Sequence, residues 1–307
     1  MKRCPVCSAD DPRPEESVES SVPLFQGRSL VRCGACGMVY VADPPAAEAL
    51  AELNARYWGV AQGRNRSSDM LHEAQMRSRV AYLESRLGAL DGKKLLDVGA
   101  GPGALGHALL ARGASTALYA VESDPACWPS LRANGARDIW PDLAHCREHG
   151  FDLIVLSHVL EHIGDPAGFL RLVGGLLAGS GHLFIEVPNQ DYRHKDDFGT
   201  HLLSFAPTTL THLVERAVGL ELVDLQTVGP RLESLTRAHA ALAGRAPGLK
   251  ERARRVVPGS IWDAGSRVAD RLRSARTSVD AIHATYQLGT YGPEREWIRC
   301  LARRPPA

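Results

Sequence analysis

The chain has 307 residues, of which 44% are hydrophobic and 23% charged, and its formal net charge is +1. Such a length suggests one large domain with a smaller one, or two domains. No apolar run approaches the ~18 residues that a membrane-spanning helix needs, and the first residues lack the apolar core of a secretory signal. We therefore expect a cytoplasmic protein that is not inserted in a membrane.

Four of the seven cysteines lie near the N-terminus in two Cys-x-x-Cys pairs, Cys4 with Cys7 and Cys33 with Cys36. Two thiolates three residues apart on a tight turn can reach one tetrahedral ion, and zinc stabilises a segment too short to form its own core. Disulfides or free thiols are the alternative, but cytosolic thiols stay reduced. We predict a zinc ribbon over residues 1–42, whose four sulfur ligands leave the ion no open position for catalysis.

Residues 43–92 are predicted to be a linker with helices at 46–56 and 69–87. From residue 93 to about 230, strands alternate with helices, which indicates an α/β core with a parallel sheet and helices on both faces. The predicted strands are 94–98, 117–121, 136–140, 151–156, 182–187 and 220–228. The predicted helices are 104–111, 125–133, 166–177 and 207–218.

The last part of the chain differs in composition. Residues 231–307 carry 15 Lys and Arg against 7 Asp and Glu, whereas residues 1–230 carry 21 against 28. Because Ala, Arg and Leu dominate there, we predict a basic, helical C-terminal segment over 231–307. A basic tail beside an acidic body favours an anionic partner or substrate, and a solvated basic face is the alternative.

The first core strand is followed by a glycine-rich turn, Gly99-Ala-Gly-Pro-Gly103, and then by a helix. Glycines allow a sharp turn and close approach of a ligand, and the helix N-terminus then faces a carboxylate or a phosphate. The spacing Gly101-x-Gly103-x-x-Gly106 also fits a dinucleotide-binding fingerprint, with Glu122 at about the expected distance. The glycines alone therefore leave more than one ligand class open.

The residues around the glycines carry a more specific signal. Asp97 at the strand end, followed by alternating glycines, resembles the first motif of class I S-adenosylmethionine-dependent methyltransferases. The stretches VESDP at 121–125, FDLIVLSHVLEH at 151–162 and EVPN at 186–189 resemble later motifs of that family, in the same order. The resemblance covers residues 93–228 and implies a Rossmann-like fold and a methyltransferase enzyme.

The same resemblance implies where the cofactor binds. The glycine loop would receive the methionine part of S-adenosylmethionine, Asp97 would hold its amino group, and Glu122 would bind both ribose hydroxyls. Trp140 and Asp142 would lie near the adenine, although Trp140 equally fits core packing. Tyr57 would contact the methionine part or anchor the ribbon to the core. The residues expected at the cofactor site are Asp97, Gly99, Gly101, Gly103, Glu122, Ser123, Trp140, Asp142, Ser157 and Tyr57.

With a Cys4 ribbon before this fold, the chain resembles the sugar C-methyltransferases of deoxysugar pathways and related polysaccharide and natural-product enzymes. The stretch CGACGMVYVADPP at 33–45 resembles their second knuckle and exit strand. Those enzymes carry a His-Glu-His stretch after the fifth strand. Here Gly199 and Thr200 stand at the first two positions, and His201 matches the third.

Methyl transfer from a sulfonium is an in-line displacement, so alignment supplies much of the rate. Some acceptors must also lose a proton before they accept the methyl group. A histidine is suited to remove that proton near neutral pH. His158 follows the fourth strand, His162 lies about one turn later, and His201 lies after the fifth strand. These three are the candidate catalytic residues, and the alternative for each is that it only lines the pocket.

We predict methyl transfer to a small-molecule acceptor, such as a sugar, a nucleotide-linked compound or a natural-product intermediate. The alternative is an RNA methyltransferase that uses the ribbon and the basic segment to bind RNA. Against it, Ser-His-Val-Leu at 157–160 is not the Asn/Asp-Pro-Pro-Tyr type used for base amino groups. A non-catalytic scaffold is a third alternative, which the intact Asp97, glycine loop and Glu122 disfavour.

Overall fold

The computed structural model describes residues 3–15, 20–57, 66–195, 197–235, 279–287 and 289–305. None of the described helices is both long and apolar enough to cross a bilayer. The helices are α1 (Ala47–Asn54), α2 (Arg66–Leu87), α3 (Ala104–Ala111), α4 (Trp128–Ala133), α5 (Pro166–Leu176), α6 (Pro207–Thr211) and α7 (Val279–Gln287). The strands are β1 (Pro12–Pro14), β2 (Leu30–Cys33), β3 (Val39–Val41), β4 (Lys94–Val98), β5 (Ala117–Val121), β6 (Ile139–Trp140), β7 (Phe151–Ser157), β8 (Leu177–Pro188), β9 (Leu203–Ser204), β10 (Glu221–Arg231) and β11 (Arg295–Arg303).

The central sheet has seven strands in the order β10-β11-β8-β7-β4-β5-β6. The five strands from β8 to β6 run parallel, and β11 runs antiparallel between β8 and β10. The chain builds outward from β4 on one side first and on the other side later, so the strand order reverses beside β4. Ligands of open α/β sheets bind in the crevice at such a reversal, outside the carboxyl ends of the strands.

The sheet separates two apolar layers. Leu95, Leu153 and Phe184 lie in one buried cluster with side chains of α2 and α3, whereas Leu96 and Ile154 lie in the cluster on the other face. Neighbouring residues of a strand point to opposite faces, so Leu95 and Leu96 contribute to different layers. Burial of each such side chain contributes about 1.5–3 kcal/mol to the stability of the fold. Packing on both faces therefore holds the carboxyl edge of the sheet in a rigid position.

The α/β class, the mostly parallel sheet and most of the core elements are as the sequence predicts. β4, β5 and α3 have the predicted bounds. β8 begins at Leu177, five residues before the predicted start, and the predicted helix 207–218 is divided into α6 and a π-helical stretch, His212–Val218.

Within the described part of 231–307, the prediction of a helical segment is correct for α7 and wrong for β11. β10 continues to Arg231, and β11 is an inner strand of the central sheet, so the core does not end at residue 230. Six consecutive residues of β11, from Trp297 to Ala302, are buried, including Arg299. The three arginines of β11, Arg295, Arg299 and Arg303, give the strand the composition of a surface segment, although Arg299 is an internal ion-pair partner. Residues 236–278, where most of the predicted basic helix falls, lie outside the described residues.

The N-terminal sheet has the order β1-β2-β3-β9, so its last strand comes from the core. β3 pairs antiparallel with β9, and the Val41 N–H donates to the Leu202 carbonyl at 2.9 Å. Phe198 packs in the same apolar cluster as Leu30, Val39 and Val41. The predicted boundary at residue 42 therefore does not separate the two parts, because the N-terminal sheet is completed by the loop that follows β8.

Candidate active site

The glycine loop leaves the carboxyl end of β4 at the reversal of strand order. Gly99 has a φ of 68°, in the left-handed region that favours glycine. A Cβ at this position would lie 2.5 Å from Cγ2 of Val159 in the turn after β7. The loop and that turn are therefore in direct contact, which brings the predicted cofactor residues next to the predicted catalytic ones.

Glu122 at the end of β5 is tied to the glycine loop. One carboxylate oxygen accepts from the Gly101 N–H at 2.7 Å and the other from the Asp124 N–H at 2.8 Å. Burial raises the pKa of this carboxyl, although both N–H donors oppose the rise. Each oxygen keeps a further lone pair, so the group can accept from a pair of ligand hydroxyls.

Asp97 at the end of β4 is 6% exposed. Burial raises the pKa of this carboxyl to about 7, with the positive charge of Arg79 opposing the rise and the negative charge of Glu122 adding to it. A carboxyl poised in this way gains from a cationic ligand, because a positive charge beside it favours its ionised form.

The other predicted cofactor residues have varied surroundings. Trp140 is buried and stacks on Tyr119, with ring centroids 5.8 Å apart and planes 3° from parallel, so it packs in the core. Asp142 is exposed and accepts from the His145 N–H at 3.0 Å. Ser123 is exposed, Ser157 is half-buried at the end of β7, and Tyr57 is 43% exposed.

His158 directly follows β7 and has a φ of 56°. Its Nδ1 lies 3.3 Å from Glu161 and its Nε2 lies 3.6 Å from Glu186, while its ring meets the ring of Trp297 edge-on. Desolvation lowers the pKa of this imidazole, but the two carboxylates outweigh it, and the net shift is upward.

Glu186 is a residue that the sequence interpretation did not single out. Its side chain is fully buried, and its two oxygens each lie 2.5 Å from an arginine Nε, one from Arg79 and one from Arg299. Burial opposes ionisation of this carboxyl, but both guanidinium groups outweigh it and hold its pKa well below the usual range. Glu186 therefore remains an anion that fixes one side of His158.

His201 is oriented by a buried carboxylate, Asp191, in the turn directly after β8. Nδ1 of His201 lies 2.5 Å from Oδ2 of Asp191, and the Ser204 hydroxyl donates to Oδ1 at 2.5 Å. Although burial disfavours the charge, the hydrogen bond with His201 holds the pKa of Asp191 well below its usual range. Nδ1 of His201 is thus assigned the proton, and Nε2 is left to act on a ligand.

His162 and Glu161 stand beside His201. The two imidazole rings have centroids 4.9 Å apart, and Nδ1 of His162 lies 3.1 Å from the Thr200 carbonyl. Desolvation lowers the pKa of His162 to about 4, with Glu161 opposing the shift. Burial raises the pKa of Glu161, but the surrounding imidazoles outweigh it and bring the value to about 2. The three predicted histidines and three carboxylates, Glu161, Glu186 and Asp191, thus form one group at the carboxyl edge of the sheet.

The four N-terminal cysteines converge as predicted. Sγ of Cys4 lies 3.6 Å from Sγ of Cys36, Sγ of Cys7 lies 3.5 Å from Sγ of Cys33, and all four sulfurs lie within 4.8 Å of one another. Tetrahedral zinc with Zn–S bonds of ~2.3 Å requires sulfurs ~3.8 Å apart. The hydrogen bond with Cys36 lowers the pKa of Cys4 to about 5. The arrangement fits a closed, structural zinc site.

A cleft of about 510 Å³ opens at the carboxyl ends of β8 and β10. It adjoins the loop that carries Asp191 and His201. The residues that line it are Gln190, Arg193, Arg231, Leu232, Glu233, Pro293 and Glu294. Two arginines and two glutamates give this cleft a mixed charge.

Of the residues that the sequence interpretation missed, Asp191 carried a detectable signal, because it follows the predicted strand 182–187 by four residues at the ligand-binding edge. Arg79 and Arg299 carried none, since nothing in their local sequence distinguishes them from surface arginines.

A family model described as a methyltransferase domain matches residues 70–225, just over half of the chain. The chain is 30% identical over 141 residues to a ubiquinone biosynthesis O-methyltransferase of Neisseria meningitidis serogroup C, which covers 42% of this chain and 59% of that protein. It is 29% identical over 122 residues to the enzyme of the same name from Marinobacter nauticus, covering 37% of this chain and 51% of that protein. The chain thus spans about half the length of these relatives.

The fold is shared with a solved structure, the 1,6-didemethyltoxoflavin-N1-methyltransferase of Burkholderia thailandensis with bound 1,6-didemethyltoxoflavin and S-adenosylhomocysteine. The two chains are 18% identical, the TM-score is 0.50, and the match covers 95% of this chain and 99% of that chain.

Proposed function

Because the chain belongs to the methyltransferase-domain family, we propose that it transfers the methyl group of S-adenosylmethionine to a small-molecule acceptor. The observation that carries the proposal is the joined set of Asp97, the glycine loop and Glu122 at the reversal of strand order. An acidic residue at each of two neighbouring strand ends, with bare backbone between them, suits a ligand that has a cationic amino group and a ribose.

Each residue at this edge has a role in the proposal. Asp97 holds the amino group of the cofactor, because its carboxyl gains from a positive charge. Glu122 accepts from the ribose hydroxyls while it keeps the Gly101 N–H, and the backbone of the loop lies against the methionine part. The bound cofactor supplies a methyl group that is already activated by its sulfonium. Trp140 supports this site from the core by packing on Tyr119.

The acceptor binds on the other side of the turn after β7. The histidine group lies there, and the cleft of about 510 Å³, lined by Gln190 and Arg193 on either side of Asp191 in the sequence, is large enough for a small molecule. The relatives are named for ubiquinone biosynthesis, and the solved structure holds 1,6-didemethyltoxoflavin. These names favour a small-molecule acceptor here as well. We propose a sugar, nucleotide-linked or natural-product acceptor in the cytoplasm.

The acceptor loses its proton at the group formed by Glu161, His162 and His201. Asp191 positions the His201 ring through Nδ1, and the carbonyl and hydroxyl of Thr200 position the His162 ring through Nδ1. His158 is held by two carboxylates, and its upward pKa shift keeps it protonated more readily, so it stabilises negative charge rather than taking the acceptor proton.

The four cysteines hold one structural zinc ion in this proposal. Its role is to fix the N-terminal sheet, which in turn carries β9 and the loop that bears His201.

The RNA alternative depends on the basic segment, but some arginines of that segment already form ion pairs within the fold. Arg299 is buried against Glu186, and Arg303 pairs with Glu221 at 2.7 Å. The cleft itself has a mixed charge. We therefore retain the small-molecule acceptor as the proposal.

The test is mass spectrometry of candidate small-molecule pools after incubation with methyl-labelled S-adenosylmethionine. We expect label in a compound of low molecular mass, and a His201→Asn variant that binds the cofactor normally but transfers little label. Label in structured RNA, with binding that weakens steeply as salt is raised, would instead support the RNA alternative.

A further inference from the structure

Three side chains of metal-binding type converge at the carboxyl edge of the sheet. One ligand atom each from Glu161, His162 and His201 lies within 4.8 Å of the others. They come from two segments, the turn Leu160–His162 after β7 and the loop after β8, and the Leu202 N–H donates to the Glu161 carbonyl at 2.8 Å. The two segments are therefore tied together at the point where the three side chains meet.

Both histidines are already oriented through Nδ1. Nδ1 of His201 lies 2.5 Å from Asp191, and Nδ1 of His162 lies 3.1 Å from the Thr200 carbonyl. Histidines that bind metals are held in the same way, with one ring nitrogen donating to a carboxylate or a carbonyl while the other binds the ion. In both rings, Nε2 is the nitrogen that remains for a ligand.

Glu161 provides an independent observation. Its side chain is 1% exposed, and neither carboxylate oxygen has a hydrogen-bond partner among the described residues. The nearest cationic group is Nδ1 of His158, at 3.3 Å. A buried carboxylate is costly unless cations or donors satisfy it. His158 faces only Oε1 of Glu161, so Oε2 points to a positively charged ligand between it and the two imidazoles.

We propose that Glu161, His162 and His201 bind one divalent transition-metal ion on the acceptor side of the active site. Two imidazoles and one carboxylate favour Zn²⁺, Fe²⁺ or Co²⁺ over Mg²⁺ or Ca²⁺, which prefer oxygen ligands alone. The ligand atoms must approach by about 1 Å to reach bond lengths of ~2.0–2.2 Å, which a ring rotation and a carboxylate shift can supply. Three protein ligands leave coordination positions of the ion open to a further ligand, unlike the closed cysteine site.

This inference rests on the proposed function and specifies how the acceptor loses its proton. An ion at this position lowers the pKa of an acceptor hydroxyl that binds to it, as metal ions do for water. The hydroxyl proton passes to water, the acceptor oxygen forms a bond to the methyl carbon, and the bond between that carbon and sulfur breaks, so the sulfur keeps the electron pair and loses its charge. The structure thereby favours an acceptor with a hydroxyl as its methylated group.

The test is a titration of the zinc-loaded full chain with Co²⁺, followed by visible absorption and isothermal calorimetry, without cofactor or acceptor. We expect one Co²⁺ per chain, with d–d bands and no thiolate-to-cobalt charge-transfer band, because the ligands are nitrogen and oxygen. Glu161→Gln and His162→Asn should each weaken Co²⁺ at least tenfold, and Asp191→Asn should weaken it about 10–100-fold, as loss of an orienting partner does. His107→Gln, which changes an exposed histidine of α3, is the matched control and should bind normally.

Retained S-adenosylmethionine affinity and an unchanged circular dichroism spectrum show that a variant is folded. If the wild-type chain binds no Co²⁺ beyond the cysteine site, or if Glu161→Gln and His162→Asn bind it as the wild type does, the metal site is wrong. Methyl transfer that persists in such a metal-free chain, and is lost in His201→Asn, would leave the proposed function standing with a free imidazole as the base.

Discussion

The two sides of the candidate site differ in the pKa shifts of their buried carboxylates. Asp97 and Glu122 are buried with raised pKa values, whereas Asp191 and Glu186 are buried with lowered ones. The difference lies in their partners, because Glu122 accepts from two backbone N–H groups and the charge of Arg79 does not outweigh the burial of Asp97, whereas the other two contact cationic side chains. The first pair is therefore ready for a cationic ligand, and the second pair is already occupied in fixing His201 and His158.

Substitution Glu122→Ala should weaken S-adenosylmethionine binding at least tenfold. The change removes charge-assisted hydrogen bonds, each of about 1.5–3 kcal/mol, and also releases the Gly101 N–H that shapes the loop. Isothermal calorimetry measures the affinity, with Glu52→Ala on the exposed side of α1 as the control. Equal affinities for wild type and Glu122→Ala would remove Glu122 from the cofactor site.

Binding of S-adenosylmethionine should also depend on pH through Asp97. The pKa of this carboxyl is about 7 in the free protein, and a cationic amino group beside it favours the ionised form. Binding then releases a proton below pH 7, so affinity should rise roughly tenfold per pH unit as the pH increases toward about 7 and then level off. Calorimetry between pH 5 and 7 checks this, and Asp97→Asn should bind weakly with a flat profile. A wild-type profile as flat as that of Asp97→Asn would contradict the assignment.

The same shift has a consequence for stability. Because the folded-state pKa of Asp97 is raised above its ordinary value of 3.8, the folded protein holds the proton more tightly than the unfolded chain does. The contribution of Asp97 to stability is therefore present at acidic pH and declines as the pH rises from about 4 to about 7.

Among the elements, β11 makes the largest difference between sequence and structure. Most of its residues are buried, and Arg299 is 1% exposed between Glu186 and the backbone of Tyr286. Substitution Arg299→Met should lower the free energy of unfolding by about 3 kcal/mol, because buried Glu186 loses one of its two arginines and keeps only Arg79 and the imidazole of His158 as partners. Urea denaturation measures this loss. Arg303→Met, in the same strand but paired at the surface, should change stability little, and equal effects of the two substitutions would contradict an internal role for Arg299.

The sequence predicted correctly those elements that are marked by neighbouring residues in the chain. β4, the glycine loop and α3 follow one another in the sequence, so strand, turn and helix signals reinforce each other, and their bounds were predicted correctly. β11 was missed because a buried ion pair gives an inner strand the composition of a basic surface. β9 has two residues and pairs with β3, which lies far away in the sequence, so no local pattern marks it. Within the site, the convergence of the three histidines was expected from their strand ends, whereas the partners that orient them depend on contacts between distant segments.

For the molecule as a whole, zinc in the cysteine cluster should stabilise the acceptor loop. β3 follows Cys33 and Cys36 directly and pairs with β9, and the Ser20 hydroxyl donates to the Gly199 carbonyl at 2.8 Å across 179 residues of sequence. Removal of zinc by a chelator should therefore increase hydrogen exchange in residues 197–205, with little change in β4 and β5. Cys33→Ser should show the same pattern, and Cys146→Ser, outside the cluster, should not. Unchanged exchange at 197–205 would mean that the cluster stabilises only the N-terminal sheet.

The strand shared by the N-terminal sheet and the core also limits how such a chain can be recombined. A ribbon taken from a relative would arrive without the matching β9, and a core grafted without its own ribbon would leave the backbone edge at Leu202 and the apolar face of Phe198 exposed. The unit that can be exchanged or inherited intact is therefore discontinuous, consisting of the first 42 residues together with the loop around residues 197–205. Substitutions in these two stretches should vary together among homologous chains, whereas those in the glycine loop should vary independently of the ribbon.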